Sequence, residues 1–148
     1  MKKYLLLIFV LTACSPKIKK QIANDYPYDV IEVAANGGFA GTTTGFAIQK
    51  NAEINLIYHL PGKSYQQKFF RLSTEDSVNM IFGKVWESGI YNDEFKKSGN
   101  MTYSITFRKD TSIKSIYWTD GLDSTAKYIE MYRLLRSFAT GKNNNSIK

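Results

Sequence analysis

The chain has 148 residues, 43% apolar and 14% aromatic, with a formal charge of +7 at pH 7. That length and apolar content suffice for one hydrophobic core of ordinary domain size. A single cysteine, Cys14, and a single histidine, His59, exclude an internal disulfide and zinc sites built on clusters of His and Cys.

Lys2 and Lys3 form a short positive segment, and Tyr4 to Val10 form an unbroken apolar one, the pattern of an export signal. The run is too short for a membrane span, which needs roughly 20 apolar residues. Leu11-Thr12-Ala13-Cys14 resembles a lipobox, with a large apolar residue three positions before the cysteine and a small one immediately before it. The resemblance implies cleavage between Ala13 and Cys14 and attachment of a diacylglyceryl group, often with an N-acyl chain, to Cys14. Each buried CH₂ contributes about 0.8 kcal/mol, so two or more chains hold a protein stably at a membrane. Residues 1–13 are thus expected to be a lipoprotein signal peptide, and 14–27 a lipidated cysteine and tether. Ser15 after the cysteine is compatible with outer-membrane sorting, by resemblance to lipoproteins of some bacteria, and the expected location is the outer membrane, periplasmic face. Loss of Lys2 and Lys3 takes the formal charge from +7 to +5. Lys17, Lys19 and Lys20 suit a solvated linker; contact with anionic lipid, at about 1 kcal/mol per lysine, is the alternative. Nucleic acid is not an expected partner, since no binding motif accompanies the charge.

The domain is expected over 28–140. Val30, Ile31 and Val33 begin a strand that stops at Asn36-Gly37-Gly38, and extended character resumes from Phe39 to Ile48, predicting a hairpin. Ile54 to Leu60 reads as another strand, closed by Pro61-Gly62, and Tyr65 to Leu72 alternates only loosely. Ser73 or Thr74 caps a helix with Glu75 and Asp76 in its first turn and Val78, Ile81, Phe82, Val85 and Trp86 at helical spacing. Met101, Tyr103, Ile105 and Phe107 alternate with Thr102, Ser104, Thr106 and Arg108, the clearest strand signature in the sequence. Ile113 to Thr119 follows. A last helix, capped within Asp120 to Ser124, is expected to place Ile129, Tyr132, Leu135 and Phe138 on one face, and 141–148 to be a disordered tail. The expected class is α+β: an antiparallel meander of about five to six strands with two amphipathic helices packed on one face.

The order Ile31-x-Val33, Gly37-Gly38-Phe39-Ala40-Gly41, amphipathic helix, Tyr103 to Phe107, Ile116-Tyr117-Trp118 with Asp120, and closing helix is similar to the emfourin-like domain. That family is named for a small bacterial inhibitor of a thermolysin-like metalloprotease. The resemblance implies a protein partner, a metalloprotease among the candidates, and makes Gly37, Gly38, Phe39, Ala40 and Gly41 a turn and contact motif. The interval from Gly41 to Ser73 departs from the family by holding an additional strand or pair of strands.

Read on their own, the glycines suit a hairpin turn, a bulge and a close contact, with Phe39 a core residue beside the turn. No Lys-Ser or Lys-Thr follows them at phosphate-loop spacing. His59 lies in an apolar strand and reads as a packed or edge residue; no nucleophile elbow accompanies it. Glu75-Asp76 and Asp93-Glu94 fit a helix start and a solvated loop and lack calcium-loop spacing. Tyr26, Tyr28, Tyr65, Tyr91 and Tyr117 could form a contact patch if they share a surface. The expectation is therefore a non-catalytic, lipid-anchored envelope binding module without cofactor or metal, with a structural or accessory envelope lipoprotein as the alternative.

Overall fold

Residues 25–37, 41–120 and 125–142 are described by a computed structural model. Six strands form one antiparallel sheet: β1 (Val30–Gly37), β2 (Thr42–Gln49), β3 (Glu53–His59), β4 (Gln66–Leu72), β5 (Met101–Lys109) and β6 (Ser112–Thr119). Two α-helices complete an α+β fold, α1 (Glu75–Glu87) and α2 (Ala126–Thr140). The strand order is β4-β3-β2-β1-β5-β6. The first four strands meander, and α1 then carries the chain from the β4 edge back across the sheet so that β5 pairs with β1. A pure meander would instead have put β5 outside β4.

Strand alternation builds the core. Ile54, Ile48, Ile31 and Phe107 stand opposite one another across four strands, and Phe46, Val33, Ile105 and Ile116 form the next row on the same face. Val78, Ile81, Phe82 and Val85 of α1 cover these rows together with Tyr128, Met131, Tyr132, Leu135 and Ala139 of α2, so both helices lie on one face. Thr74 caps α1, its Oγ1 accepting from the Ser77 amide at 3.2 Å, and Glu75 and Asp76 occupy the dipole-favoured first turn.

Three local features differ from the sequence pattern. The buried face of α2 runs through Tyr128, Met131, Tyr132, Leu135 and Ala139, while Ile129 and Phe138 are only partly buried. A strict three-residue repeat drifts about 60° per step around a helix of 3.6 residues per turn, so the ends of the expected stripe rotate off the core. The register of β3 with β4 shifts at Ile54/Asn55, and this bulge explains why 65–72 alternates loosely. The core also begins ahead of residue 28. Tyr26, 5% exposed, stacks on Tyr28 at 5.7 Å, and the Tyr28 hydroxyl donates to the Phe82 carbonyl at 3.0 Å.

The opposite sheet face carries no helix among the described residues. Its centre is built from small residues, with Ala34 and Ala47 buried beside Ile57. Gly45 on β2 lies so close to Val33 that a Cβ there would collide with its carbonyl oxygen, and only glycine fits that strand position. Glu32 on β1 is 5% exposed and takes a bidentate ion pair from Arg108 on β5, at 2.7 and 3.0 Å, plus a hydrogen bond from the Tyr65 hydroxyl at 3.0 Å. Tyr65 precedes the edge strand β4, three strands from β1, and strands lie about 4.8 Å apart. For the two side chains to meet, the sheet must curl toward its helix-free face.

Candidate functional site

The sheet has two unlike ends. At one, the chain enters through Asp25 and Tyr26, where Lys109 Nζ lies 3.2 Å from Asp25 Oδ1 and from the Tyr26 carbonyl. At the other, the β1–β2 and β3–β4 connections, the loop entering β5 and the segment leaving β6 converge, as the pairings Gly37↔Thr42, Tyr58↔Gln66, Gly37↔Met101 and Thr102↔Thr119 require. Gly37 and Gly41 belong to this loop end. Gly37 has φ +127°, and a Cβ there would strike the Asn100 carbonyl oxygen, so the turn can seat against the β5 loop only with glycine at that position. Gly41 lies beside Pro61 of the β3–β4 turn. Gly38, Phe39 and Ala40 lie outside the described residues, as do Ala13 and Cys14.

From the loop end a groove of about 500 Å³ runs between β5–β6 and the flank of α2, lined by Tyr103, Trp118, Ile129, Tyr132, Arg133 and Arg136, with Asp120 at its rim. Three aromatic rings form its wall. Tyr103 stacks against Trp118 at 6.1 Å and meets Tyr132 edge-on at 5.4 Å, while Trp118 meets Tyr132 edge-on at 5.8 Å. The Tyr103 hydroxyl donates to Asp120 Oδ2 at 3.1 Å, and its pKa is raised, first by burial and then by that bond. Arg136 Nη1 donates to the Tyr132 hydroxyl at 3.3 Å. Burial raises the Tyr132 phenol and the nearby Arg136 partly offsets it. Trp118 is 1% exposed, and its indole Nε1 has no acceptor among the described residues.

The charge in the groove is unbalanced. The ion pairs among the described residues join Lys50 to Asp29, Arg108 to Glu32, Lys109 to Asp25 and Lys127 to Asp93. Arg133, Arg136 and Lys142 line the groove and take part in none of them, against one carboxylate, Asp120.

The remaining candidates from the sequence are placed as follows. His59 ends β3, half-buried and paired with Thr43. Asp93 meets Lys127 Nζ at 2.7 Å. Among the described residues no three His, Cys, Asp or Glu side chains gather as a metal site. The five tyrosines do not share a surface: Tyr26, Tyr28 and Tyr91 pack around Phe82 and Phe107, Tyr65 crosses the helix-free face, and Tyr117 pairs with Ser104 on that face. The edges differ too. The backbone of Phe95 and Lys97 pairs with Tyr117 on β6, whereas β4 is exposed and presents Phe69 (57% exposed) and Leu72 (63%). Sequence reasoning missed the groove. Its available signal was the pair Arg133 and Arg136, three residues apart beside the aromatic face of α2.

No protein-family model matches the chain, and no curated protein matches it. No described helix is long and apolar enough to cross a membrane.

Proposed function

We propose that the chain is a lipid-anchored, non-catalytic binding module of the bacterial envelope, held through Cys14 and presenting its loop end to a protein partner. The observation that carries this reading is the polarity of the domain. The described chain begins at Asp25, and Gly37 and the groove mouth lie at the far end of β1, eight residues or about 26 Å away. Residues 14–24 add a spacer of up to about 36 Å. A lipid on Cys14 would therefore leave the loop end facing away from the bilayer. The order of elements, similar to the emfourin-like domain, supports a thermolysin-like metalloprotease as the partner.

An accessory envelope role is the second reading, and the open β4 edge with Phe69 and Leu72 supports it, because such an edge accepts a strand from a neighbour. The two separate on assay. The protease-inhibitor form requires dose-dependent inhibition by the purified chain across a panel of thermolysin-like metalloproteases. Uninhibited enzymes at a tenfold molar excess of chain would remove it. The accessory form requires a stoichiometric envelope complex after mild crosslinking, and recovery of monomer alone would count against it.

A further inference from the structure

Arg133 and Arg136 are exposed on the flank of α2, and neither has a carboxylate partner among the described residues. Arginines outside ion pairs are common on protein surfaces, but these two stand over a concave aromatic wall whose buried indole N–H has no acceptor among the described residues. Guanidinium forks recognise carboxylates with geometric specificity, and aromatic walls supply apolar contact area at low entropy cost. The dimensions narrow the occupant. The groove follows α2 from Ile129 to Thr140, about 16 Å at roughly 1.5 Å per residue. That is the length of an extended segment of about five residues. Side chains three apart on a helix sit about 5–6 Å from one another, close to the roughly 6.7 Å between alternate side chains of an extended strand.

We infer that this groove is a binding site for an extended segment of a partner protein bearing two acidic side chains at alternate positions, with aromatic or aliphatic residues between and beside them. The two carboxylates pair with Arg133 and Arg136, and the apolar side chains lie on Tyr103 and Ile129, the partly exposed apolar residues of the groove, with Trp118 and Tyr132 buried behind them. Asp120 at the rim repels a segment whose acidic pair is shifted toward it. This inference rests on the reading of the chain as a protein-binding module and is independent of the anchor at Cys14.

The chain contains its own reporter. Trp86 is the other tryptophan and is not among the groove residues, so the full-length chain carrying Trp86→Phe has Trp118 as its sole tryptophan. The probe is the capped pentapeptide Phe-Glu-Phe-Glu-Phe, titrated while Trp118 emission is recorded. A saturable change is expected. Binding should weaken at least tenfold when both glutamates are replaced by glutamine, and at least tenfold in Arg133→Glu/Arg136→Glu, whose exposed positions leave the fold intact by circular dichroism. Raising salt from 50 to 500 mM should weaken it severalfold. No saturable signal up to millimolar peptide, equal binding of the glutamine peptide, or indifference to charge reversal would each overturn the proposal. So would competition by free phenylacetate at the peptide's own concentration, which would assign the groove to a small aromatic acid. If wild type and the charge-reversed variant inhibit a thermolysin-like metalloprotease equally, the groove assignment fails and the binding-module reading stands. If neither inhibits any enzyme of the panel, the inhibitor form of that reading fails.

Discussion

Replacing Arg108 with methionine keeps most of the side chain's apolar volume and removes its charge, leaving the buried Glu32 carboxylate with the Tyr65 hydroxyl as its remaining side-chain partner among the described residues. Removing one member of a buried ion pair costs about 3–5 kcal/mol, because the other charge stays desolvated. Here the Glu32 side chain is 6% exposed but that of Arg108 is 35% exposed. Water reaches the vacated side and reduces the expected cost to about 2–3 kcal/mol. At an m-value of about 1.5 kcal/mol/M in urea, the unfolding midpoint should fall by about 1.3–2 M. The double variant Glu32→Gln/Arg108→Met needs no countercharge and should recover at least about 1 kcal/mol, a coupling that marks direct interaction. Equilibrium urea unfolding followed by far-ultraviolet circular dichroism at pH 7 measures all four members of the cycle. A loss under about 0.5 kcal/mol in Arg108→Met, the size of an ordinary surface change, would refute the argument. So would a double variant no more stable than Arg108→Met.

Gly45→Ala places a methyl group against the Val33 carbonyl inside the sheet and should destabilise by at least about 3 kcal/mol; a thermal midpoint within a few degrees of wild type would contradict it. The Tyr65 phenol is pushed up to about 12, first by burial and further by the Glu32 carboxylate beside it. Because its folded pKa lies above the unfolded value of about 10, its contribution is complete below pH 10 and is lost as pH rises toward 12. Tyr65→Phe should therefore flatten the alkaline decline in stability, and superimposable profiles of variant and wild type would reject this linkage. Arg71 donates through Nε to the Ala139 carbonyl at 2.8 Å and through Nη2 to the Phe138 carbonyl, tying β4 to the end of α2. Arg71→Met should cost about 1–2 kcal/mol and raise amide exchange selectively in the last turn of α2, whereas unchanged exchange there would argue against that tie.

Local patterns carried much of the fold into the sequence. The alternation from Met101 to Arg108 predicts β5, and Thr74 with Glu75, Asp76 and the spacing of Val78, Ile81 and Val85 predicts α1 and its start. What resisted reading was relational. The pairing of β5 with β1 depends on which way α1 crosses the sheet. Glu32 and Arg108, 76 residues apart, look like ordinary surface charges until that crossing brings them together. Tyr26 reads as tether because Pro27 follows it, yet its ring completes the cluster around Phe82. The glycine motif announced a turn, and Gly37 has the backbone that a turn requires. The groove needed residues from β5, β6 and α2 at once, and no single segment displays that combination.

The proposed lipid anchor is a modification of Cys14. Intact-mass and N-terminal fragment analysis of the protein isolated from its native membranes tests it most directly. The predicted result is a chain beginning at Cys14 that carries a diacylglyceryl group on sulfur. A chain that still begins with residues 1–13 and bears an unmodified thiol at Cys14 would contradict it.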